Sequence, residues 1–261
     1  MKAYFYTRLS VLLWVAAALL LVMPAVSSPA FAAKPDMKVL REKAGRFYAH
    51  SEWPNALAMF YAILEDEPDD IATYARAIVV SGIIQDTERQ MSLFERAQNA
   101  GLSLDRLFDE VRKSAFEIGE PQEAERFFYR VKDHLPWMSR NIQIRLAKYY
   151  DIRNNGAKMV AMSDTLLALN ARDPMILGIK ARGYKLLDDY PSAVKCYKEI
   201  LKIDPTDVDA LLNIGVYYYY EVKSRNLPIS SEEVKEARLH LAEANRLQPS
   251  AYIERLLSEL R

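Results

Sequence analysis

Few residues in this sequence have the types and spacing that metal binding or catalysis requires. The three histidines, His50, His134 and His240, lie in different parts of the chain, and no two of them can meet on one helical turn. A protein zinc site needs several histidine, cysteine or carboxylate ligands held together. The sequence therefore predicts no metal site.

The sequence also lacks the motifs that are typical of nucleophilic catalysis and of phosphate binding. There is no glycine-rich phosphate loop and no Gly-x-Ser-x-Gly turn, and the single cysteine, Cys196, has no histidine near it in sequence. Adjacent carboxylates occur at predicted turns or helix starts, where they complement the helix dipole. These pairs are Asp69 and Asp70, Asp188 and Asp189, and Glu232 and Glu233. We expect no catalytic residues, no cofactor and no enzymatic activity.

The first 33 residues have the pattern of an export signal. Lys2 and Arg8 precede an apolar run of 13 residues that ends at Met23, and a small-residue site follows at Ala32. This predicts a signal peptide over residues 1–33 with cleavage after Ala32 or Ala33. An uncleaved anchor is the alternative, but a spanning helix needs about 20 apolar residues. No cysteine follows to carry a lipid, so we expect a periplasmic or secreted protein without a membrane span.

Composition indicates an all-α protein. Only 8 glycines are present, which disfavours a loop-rich or sheet-rich design, and 35 basic residues balance 35 acidic ones. This charge balance argues against nucleic acid as a partner. Cys196 cannot form an intrachain disulfide, so packing must stabilise the fold; we expect a buried thiol, with pairing between chains as the alternative.

An internal repeat is the strongest pattern in the chain. An alanine, a bulky residue and a proline recur four times with the same internal spacing. The copies are Ala56, Phe60 and Pro68; Ala124, Phe128 and Pro136; Ala193, Tyr197 and Pro205; and Ala237, Leu241 and Pro249. They are shifted by 68, 69 and 44 residues, which fits a period of 34 with one inserted residue and one insertion of ten. Such a period is typical of stacked helical repeats.

These residues resemble the tetratricopeptide repeat (TPR), a 34-residue pair of antiparallel helices, in an exported bacterial member of that family. The fifth unit, which contains DDYPSAVKCYKEILKIDP, and the first are closest to the signature. The resemblance implies an all-α, right-handed superhelical solenoid of about six TPR-like helix pairs over residues 34–261. Its units would be 37–70, 71–104, 105–139, 140–173, 174–207 and 208–251, with a capping helix at 252–261.

Several units depart from the signature. The second and fourth have Gln90 and Met159 where a small residue is expected. Arg112 occupies a small-residue position in the third unit, which predicts a shifted register for its first helix. In the sixth unit an insertion near residues 222–231 separates the helices, and Ser230 with Glu233 predicts a capping box for the second helix.

The resemblance implies a concave groove lined by the first helix of each unit. Carried over by position, the candidate partner contacts are Lys38, Arg41, Tyr48, Arg106, Lys113, Phe116, Lys148, Arg182, Lys185, Tyr219 and Tyr220, with an apolar stretch at Ala72, Ala75, Val79 and Ile83. This modestly basic lining suits an extended or helical peptide with acidic and apolar side chains. The alternative is that these residues are solvated helix faces without a binding role.

We therefore expect a protein-binding adaptor or scaffold of the bacterial cell envelope that holds a peptide segment or helix of another envelope protein. A periplasmic recognition module for peptide, glycan or lipid fragments is the alternative. Some relatives grip a terminal carboxylate with a fixed lysine and asparagine set, but here Gly45 and Arg76 occupy the asparagine positions.

The export signal gives a first testable prediction. Mass spectrometry of the protein from its host should find a mature chain that begins at Ala33 or Lys34, because the small-residue site is where a signal peptidase cleaves. An intact Met1 in a membrane fraction that high salt cannot extract would contradict the prediction.

Overall fold

The computed structural model of the protein describes residues 36–260, within which it forms thirteen α-helices, one short 3-10 turn and no strand. The helices are α1 (Met37–Ala49), α2 (Trp53–Asp66), α3 (Ile71–Ile83), α4 (Thr87–Asn99), α5 (Leu104–Glu117), α6 (Pro121–His134), α7 (Ser139–Ile152), α8 (Gly156–Leu169), α9 (Pro174–Leu186), α10 (Tyr190–Ile203), α11 (Val208–Arg225), α12 (Glu232–Leu247) and α13 (Ala251–Ser258). They form six successive pairs followed by α13, which confirms the predicted all-α class. The predicted signal peptide lies outside the described residues.

The turns inside the first five pairs share one backbone conformation. Each has three residues, and the middle one has a positive φ between 51° and 75°; these residues are Ser51, Gln85, Gly119, Asn154 and Asp188. The next residue donates its N–H to a carbonyl five residues earlier, as Glu52 does to Phe47 at 2.8 Å. This is the Schellman arrangement that closes a helix carboxy terminus. Only one of the five is glycine, so the repeat is clearer in the backbone than in the sequence.

Most helices begin at an aspartate, asparagine or serine cap. Asp70 accepts the Thr73 N–H at 3.1 Å, and Asp207 accepts the Ala210 N–H at 2.7 Å. Such side chains satisfy backbone donors that have no partner within the helix. The predicted unit starts, Met37, Ile71, Asp105, Arg140, Pro174 and Val208, are the first or second residues of α1, α3, α5, α7, α9 and α11.

The third unit has the register shift that Arg112 predicted. Leu107, Val111 and Ala115 are buried on α5, whereas Arg112 is partly exposed. The buried stripe therefore begins one residue earlier than the 34-residue spacing predicts.

The insertion in the sixth unit mainly lengthens α11. This helix has 18 residues and ends before Asn226, whose φ is 47°, so a loop of six residues leads to α12. The predicted cap at Ser230 is wrong by one residue. The Ser231 N–H is donated to the Pro228 carbonyl at 2.9 Å, and this turn moves the helix start so that Ser231 accepts the Val234 N–H at 3.3 Å.

Small residues allow the helices to approach closely. The alanines at the signature positions are all buried; they are Ala44, Ala56, Ala124, Ala181, Ala193 and Ala237. Glycines serve the same purpose between α8 and α9. A Cβ added to Gly156 would overlap the Gly183 carbonyl oxygen, and one added to Gly183 would lie 3.0 Å from the Met159 Cβ.

In the second unit, the small residue at the contact between the two helices lies on α3 instead of α4. Gln90, at the small-residue position of α4, is buried and donates its amide to the Ile78 carbonyl at 2.9 Å. Gly82 on α3 leaves room for it, because a Cβ there would lie 2.6 Å from the Gln90 Nε2. Arg130 of α6 completes the network by donating to the Gln90 Oε1.

Most of the buried apolar side chains belong to one of three clusters along the stack of helices. The largest extends from Leu40 to Met159, and two smaller ones extend from Leu177 to Ile214 and from Leu211 to Leu260. None of the helices in residues 36–260 is long and apolar enough to cross a membrane.

The glycine contact between α8 and α9 predicts opposite effects for two Gly→Ala changes. Gly156→Ala should lower the free energy of unfolding by about 1 to 3 kcal/mol, because backbone must move to admit the methyl group. Gly178→Ala on α9 meets no atom within 4 Å, so it should stabilise by up to about 1 kcal/mol through helix propensity. Urea unfolding of both variants measures the difference, and equal effects would refute the close approach.

Candidate binding face on the first helices

The first helices of the six pairs, α1, α3, α5, α7, α9 and α11, are joined by side-chain contacts, and we call the surface that they form the first-helix face. The contacts are Arg76 over the Tyr48 ring (5.4 Å to its centre), Arg76 with Glu117 (3.5 Å), Arg145 with Asp105, Arg182 with Asp151 (2.9 Å) and Lys185 with Asn213 (2.9 Å). Polar groups on this face therefore also hold neighbouring units together.

The amino-terminal part of this face is closely packed, because a side chain of α1 reaches α5 across α3. The Tyr48 hydroxyl is donated to the Ser114 carbonyl at 2.8 Å, and the Tyr48 side chain is only 3% exposed. Burial raises the pKa of this hydroxyl. Ala75 and Val79 of α3 are buried as well, while Ala72 remains exposed. The prediction that Ala75 and Val79 line an open groove is therefore wrong, and Tyr48, though mostly buried, borders a recess of about 380 Å³ together with Arg76 and Glu117.

Tyr219 is a second predicted contact that lies in the core. It is 7% exposed, belongs to the cluster that contains Ile253 and Leu256, and donates its hydroxyl to Glu259. It is covered because the carboxy-terminal helix α13 belongs to the same cluster. Its neighbour Tyr220 is 60% exposed.

Several of the predicted contact cations are already paired with carboxylates. The pairs are Arg41 with Glu67 and with Asp70 (2.6 Å), Lys113 with Glu110 (2.6 Å) and Arg182 with Asp151 (2.9 Å). Exposed pairs of this kind contribute about 0 to 1 kcal/mol each, so a partner could exchange them at small cost. Within residues 36–260, no carboxylate forms an ion pair with Lys38, Arg106, Lys148 or Lys185.

The unpaired cations differ in their surroundings. Arg106 borders a depression that also contains the carboxylates of Asp69, Asp70 and Glu110. Lys38 is exposed near the start of α1. Lys148 and Lys185 each border a cavity at the first-helix face.

The first of these cavities lies between α5 and α7 and is polar. Its volume is about 360 Å³, and Asp109, Arg112, Arg145, Lys148 and Asp151 line it. Arg145 lies 3.6 Å from Asp109, which leaves Lys148 as the charge without a carboxylate partner within the described range. Phe116, a further predicted contact, is half-buried with its ring edge-on to Tyr149 at 6.0 Å.

The second cavity, with a volume of about 610 Å³, lies where the α9–α10 turn faces α11. Lys185, Pro191, Val194, Asn213, Val216 and Tyr220 contribute to its wall. Two predicted contacts, Lys185 and Tyr220, therefore meet at one recess. We call it the α9–α11 cavity.

Electrostatics distinguish Lys185 from the other cations. Burial removes water from its ammonium group and Arg182 adds a like charge nearby, and both effects lower the pKa of Lys185. The buried Tyr197, also in the wall, has a pKa raised to about 12 by burial. Lys185 is the one cation among the residues that line the cavity, and Asp188 and Glu221 are its two carboxylates.

Metal-ligating and nucleophilic side chains are not gathered at this face. No group of three or more histidine, cysteine, aspartate or glutamate residues in residues 36–260 could hold a metal ion. Cys196 is buried, and burial raises the pKa of its thiol. His134 contacts Glu95 at 2.9 Å, and His240 contacts the Glu236 carbonyl at 2.8 Å.

Three observations establish the architecture: the successive helix pairs, the turn that the first five pairs share, and the burial of the signature alanines. The chain has a tetratricopeptide-repeat fold. No protein-family model matches the sequence, and no curated protein matches it.

Solved structures similar to the chain include several TPR proteins. One is the C-terminal part of a TPR repeat-containing protein from Cytophaga hutchinsonii, with 12% identity, 85% of this chain and 84% of that chain covered, and a TM-score of 0.49. Another is a TPR repeats protein from Bacteroides fragilis, with 16% identity, 86% and 97% covered, and a TM-score of 0.37. PilF from Pseudomonas aeruginosa has 14% identity, 86% and 97% covered, and a TM-score of 0.43.

Sequence reasoning missed residues that border the cavities of this TPR fold. Arg112 and Arg145 were not among the candidate contacts, although the misplaced Arg112 had already indicated the register shift of α5. Asn213 and Tyr217 were also missed. The signal for Tyr217 was the tyrosine run that ends at Tyr220, on the helix that the insertion lengthens.

The contact between α1 and α5 predicts that Tyr48 has a structural role. Tyr48→Phe should lower the free energy of unfolding by about 1 kcal/mol, because the buried Ser114 carbonyl loses its donor. Tyr190→Phe is the matched control, since its partly exposed hydroxyl contacts only Asp188 at 3.3 Å, and it should stay within about 0.5 kcal/mol of wild type. An equal, small effect at both tyrosines in thermal unfolding would argue against the hydrogen bond between Tyr48 and Ser114.

Proposed function

We propose that this protein is a binding scaffold of the bacterial cell envelope that holds a segment of a partner protein against its first-helix face. The envelope location is supported by the pattern of residues 1–33, which is typical of an export signal. The binding role is supported by the repeat fold, because stacked repeats present side chains from successive units to one extended ligand.

The observation that carries the proposal is the position of Lys148 and Lys185. Both are cations on first helices, both border a cavity, and neither has a carboxylate partner in residues 36–260. Cations left unpaired beside recesses can bind an acidic ligand without breaking an existing ion pair, and rim charges of this kind chiefly affect the association rate. The intervening Arg182–Asp151 pair lies between the two units concerned.

A recognition module for a small peptide, glycan or lipid fragment is a second candidate function. The α9–α11 cavity, at about 610 Å³, falls within the roughly 300 to 1,000 Å³ of typical small-molecule sites. A scaffold would depend on both Lys148 and Lys185, whereas a small ligand would depend on Lys185 alone.

Charge reversal tests the scaffold. Lys148→Glu combined with Lys185→Glu should abolish in-cell crosslinking to the partner that the wild-type protein captures, because both ends of the acidic segment would be repelled. Capture is measured by mass spectrometry of crosslinked complexes, with the helical content of each variant checked by circular dichroism.

The matched control is Lys195→Glu on the second helix α10, where the lysine is exposed and forms no ion pair in the described part of the chain. This control should capture the partner as well as wild type does. If Lys195→Glu abolishes capture while the double reversal leaves it unchanged, the partner binds elsewhere and the proposal is wrong.

A further inference from the structure

We infer that the α9–α11 cavity is an anchor site for one large apolar side chain of an acidic peptide segment, with a carboxylate of that segment held by Lys185. This inference rests on the proposed function and deepens it, because it names the chemistry of the segment and the place where it is fixed.

Most of the cavity wall is formed by residues at positions that the other units also hold in helices. Tyr220 is the thirteenth residue of α11 and corresponds to Ile83, the last residue of α3, whereas Glu221 corresponds to Ile84, which lies just after α3. Because α11 has 18 residues, Glu221 remains helical, and it is the lining residue that the longer helix adds to the edge of the cavity.

The wall of the cavity is mainly apolar and aromatic. Pro191 and Val194 of α10 face Val216 and Tyr220 of α11, and Tyr197 and Tyr217 complete the recess. Tyrosine and similar rigid aromatic groups give large contact areas at low entropic cost and are enriched at binding hot spots. A single tryptophan, phenylalanine or leucine side chain has the size and chemistry for such a recess.

The charged groups of the cavity select a carboxylate beside that side chain. Lys185 donates to the Asn213 Oδ1 at 2.9 Å, and no carboxylate in the described range pairs with it. Of the two carboxylates in the wall, Glu221 pairs with Arg225 at 3.4 Å, and Asp188 is exposed to water and accepts a hydrogen bond from the Tyr190 hydroxyl at 3.3 Å. Lys185 is therefore the charged group of the wall that is half-buried and has no counter-ion in the described range, and an arriving carboxylate would restore the solvation that its ammonium group lacks.

Defined peptides test the inference with the full-length protein. Three acetylated and amidated heptapeptides serve as probes: tryptophan flanked by two glutamates, tryptophan flanked by two lysines, and glycine flanked by two glutamates. Methyl NMR of Val194 and Val216 reports whether a peptide enters the cavity, and titration gives its affinity. The acidic tryptophan peptide should shift both valines and bind about three-fold or more tightly than the lysine peptide, and the glycine peptide should leave both valines unshifted.

Two variants separate the apolar and charged contributions. Tyr220→Ala, at an exposed residue whose loss should leave folding intact, should weaken the acidic tryptophan peptide several-fold. Lys185→Gln should remove the preference for glutamate over lysine, while the control Lys195→Gln should retain it.

Two outcomes would overturn the inference. The first is that no tryptophan peptide shifts Val194 or Val216, and the second is that both tryptophan peptides bind equally. If either occurs while in-cell capture still depends on Lys148 and Lys185, the anchor site is wrong and the scaffold remains. If capture does not depend on these lysines, the proposed function itself fails.

Discussion

Close contact between helices at small residues is the interaction on which the rest of this structure depends. Ala56, Ala124 and Ala193 are buried at equivalent positions, and a larger side chain at any of them would push two helices apart. Where the alanine is missing the contact persists through another residue, as Gly82 shows beside the buried Gln90. The stack is therefore maintained by the size of the side chain at each contact, and its chemical identity can vary.

This explains which parts of the fold the sequence could predict. Alanines and prolines at a period of 34 predicted the helix pairs and their boundaries, because packing distance and helix termination depend on those residue types. The register shift of α5 could be predicted from one misplaced arginine. The left-handed turn residues could not all be predicted, since Ser51 and Gln85 are not residue types that favour positive φ.

The candidate site was harder to predict than the fold, for a physical reason. Positions along a first helix indicate which side a residue faces, but they do not show how closely the next first helix approaches. Tyr48 was predicted to line the groove, yet its hydroxyl reaches the Ser114 carbonyl of α5 and its side chain is buried. The α9–α11 cavity depends on the distance between α11 and the α9–α10 turn, which a pattern of 34 residues does not contain.

The glycine contact between α8 and α9 has a consequence for how the two ends of the repeat array are coupled. The core does not end between α8 and α9, because Ile179 and Leu186 of α9 pack against the cluster that extends from Leu40 to Met159. At the same place a Cβ on Gly156 would lie 2.4 Å from the Gly183 carbonyl oxygen, so the two backbones are in direct contact. The helix α9 is therefore fixed to the amino-terminal units by backbone as well as by side chains. Since α9 also carries Lys185, one rigid helix connects the extensive amino-terminal core with the α9–α11 cavity.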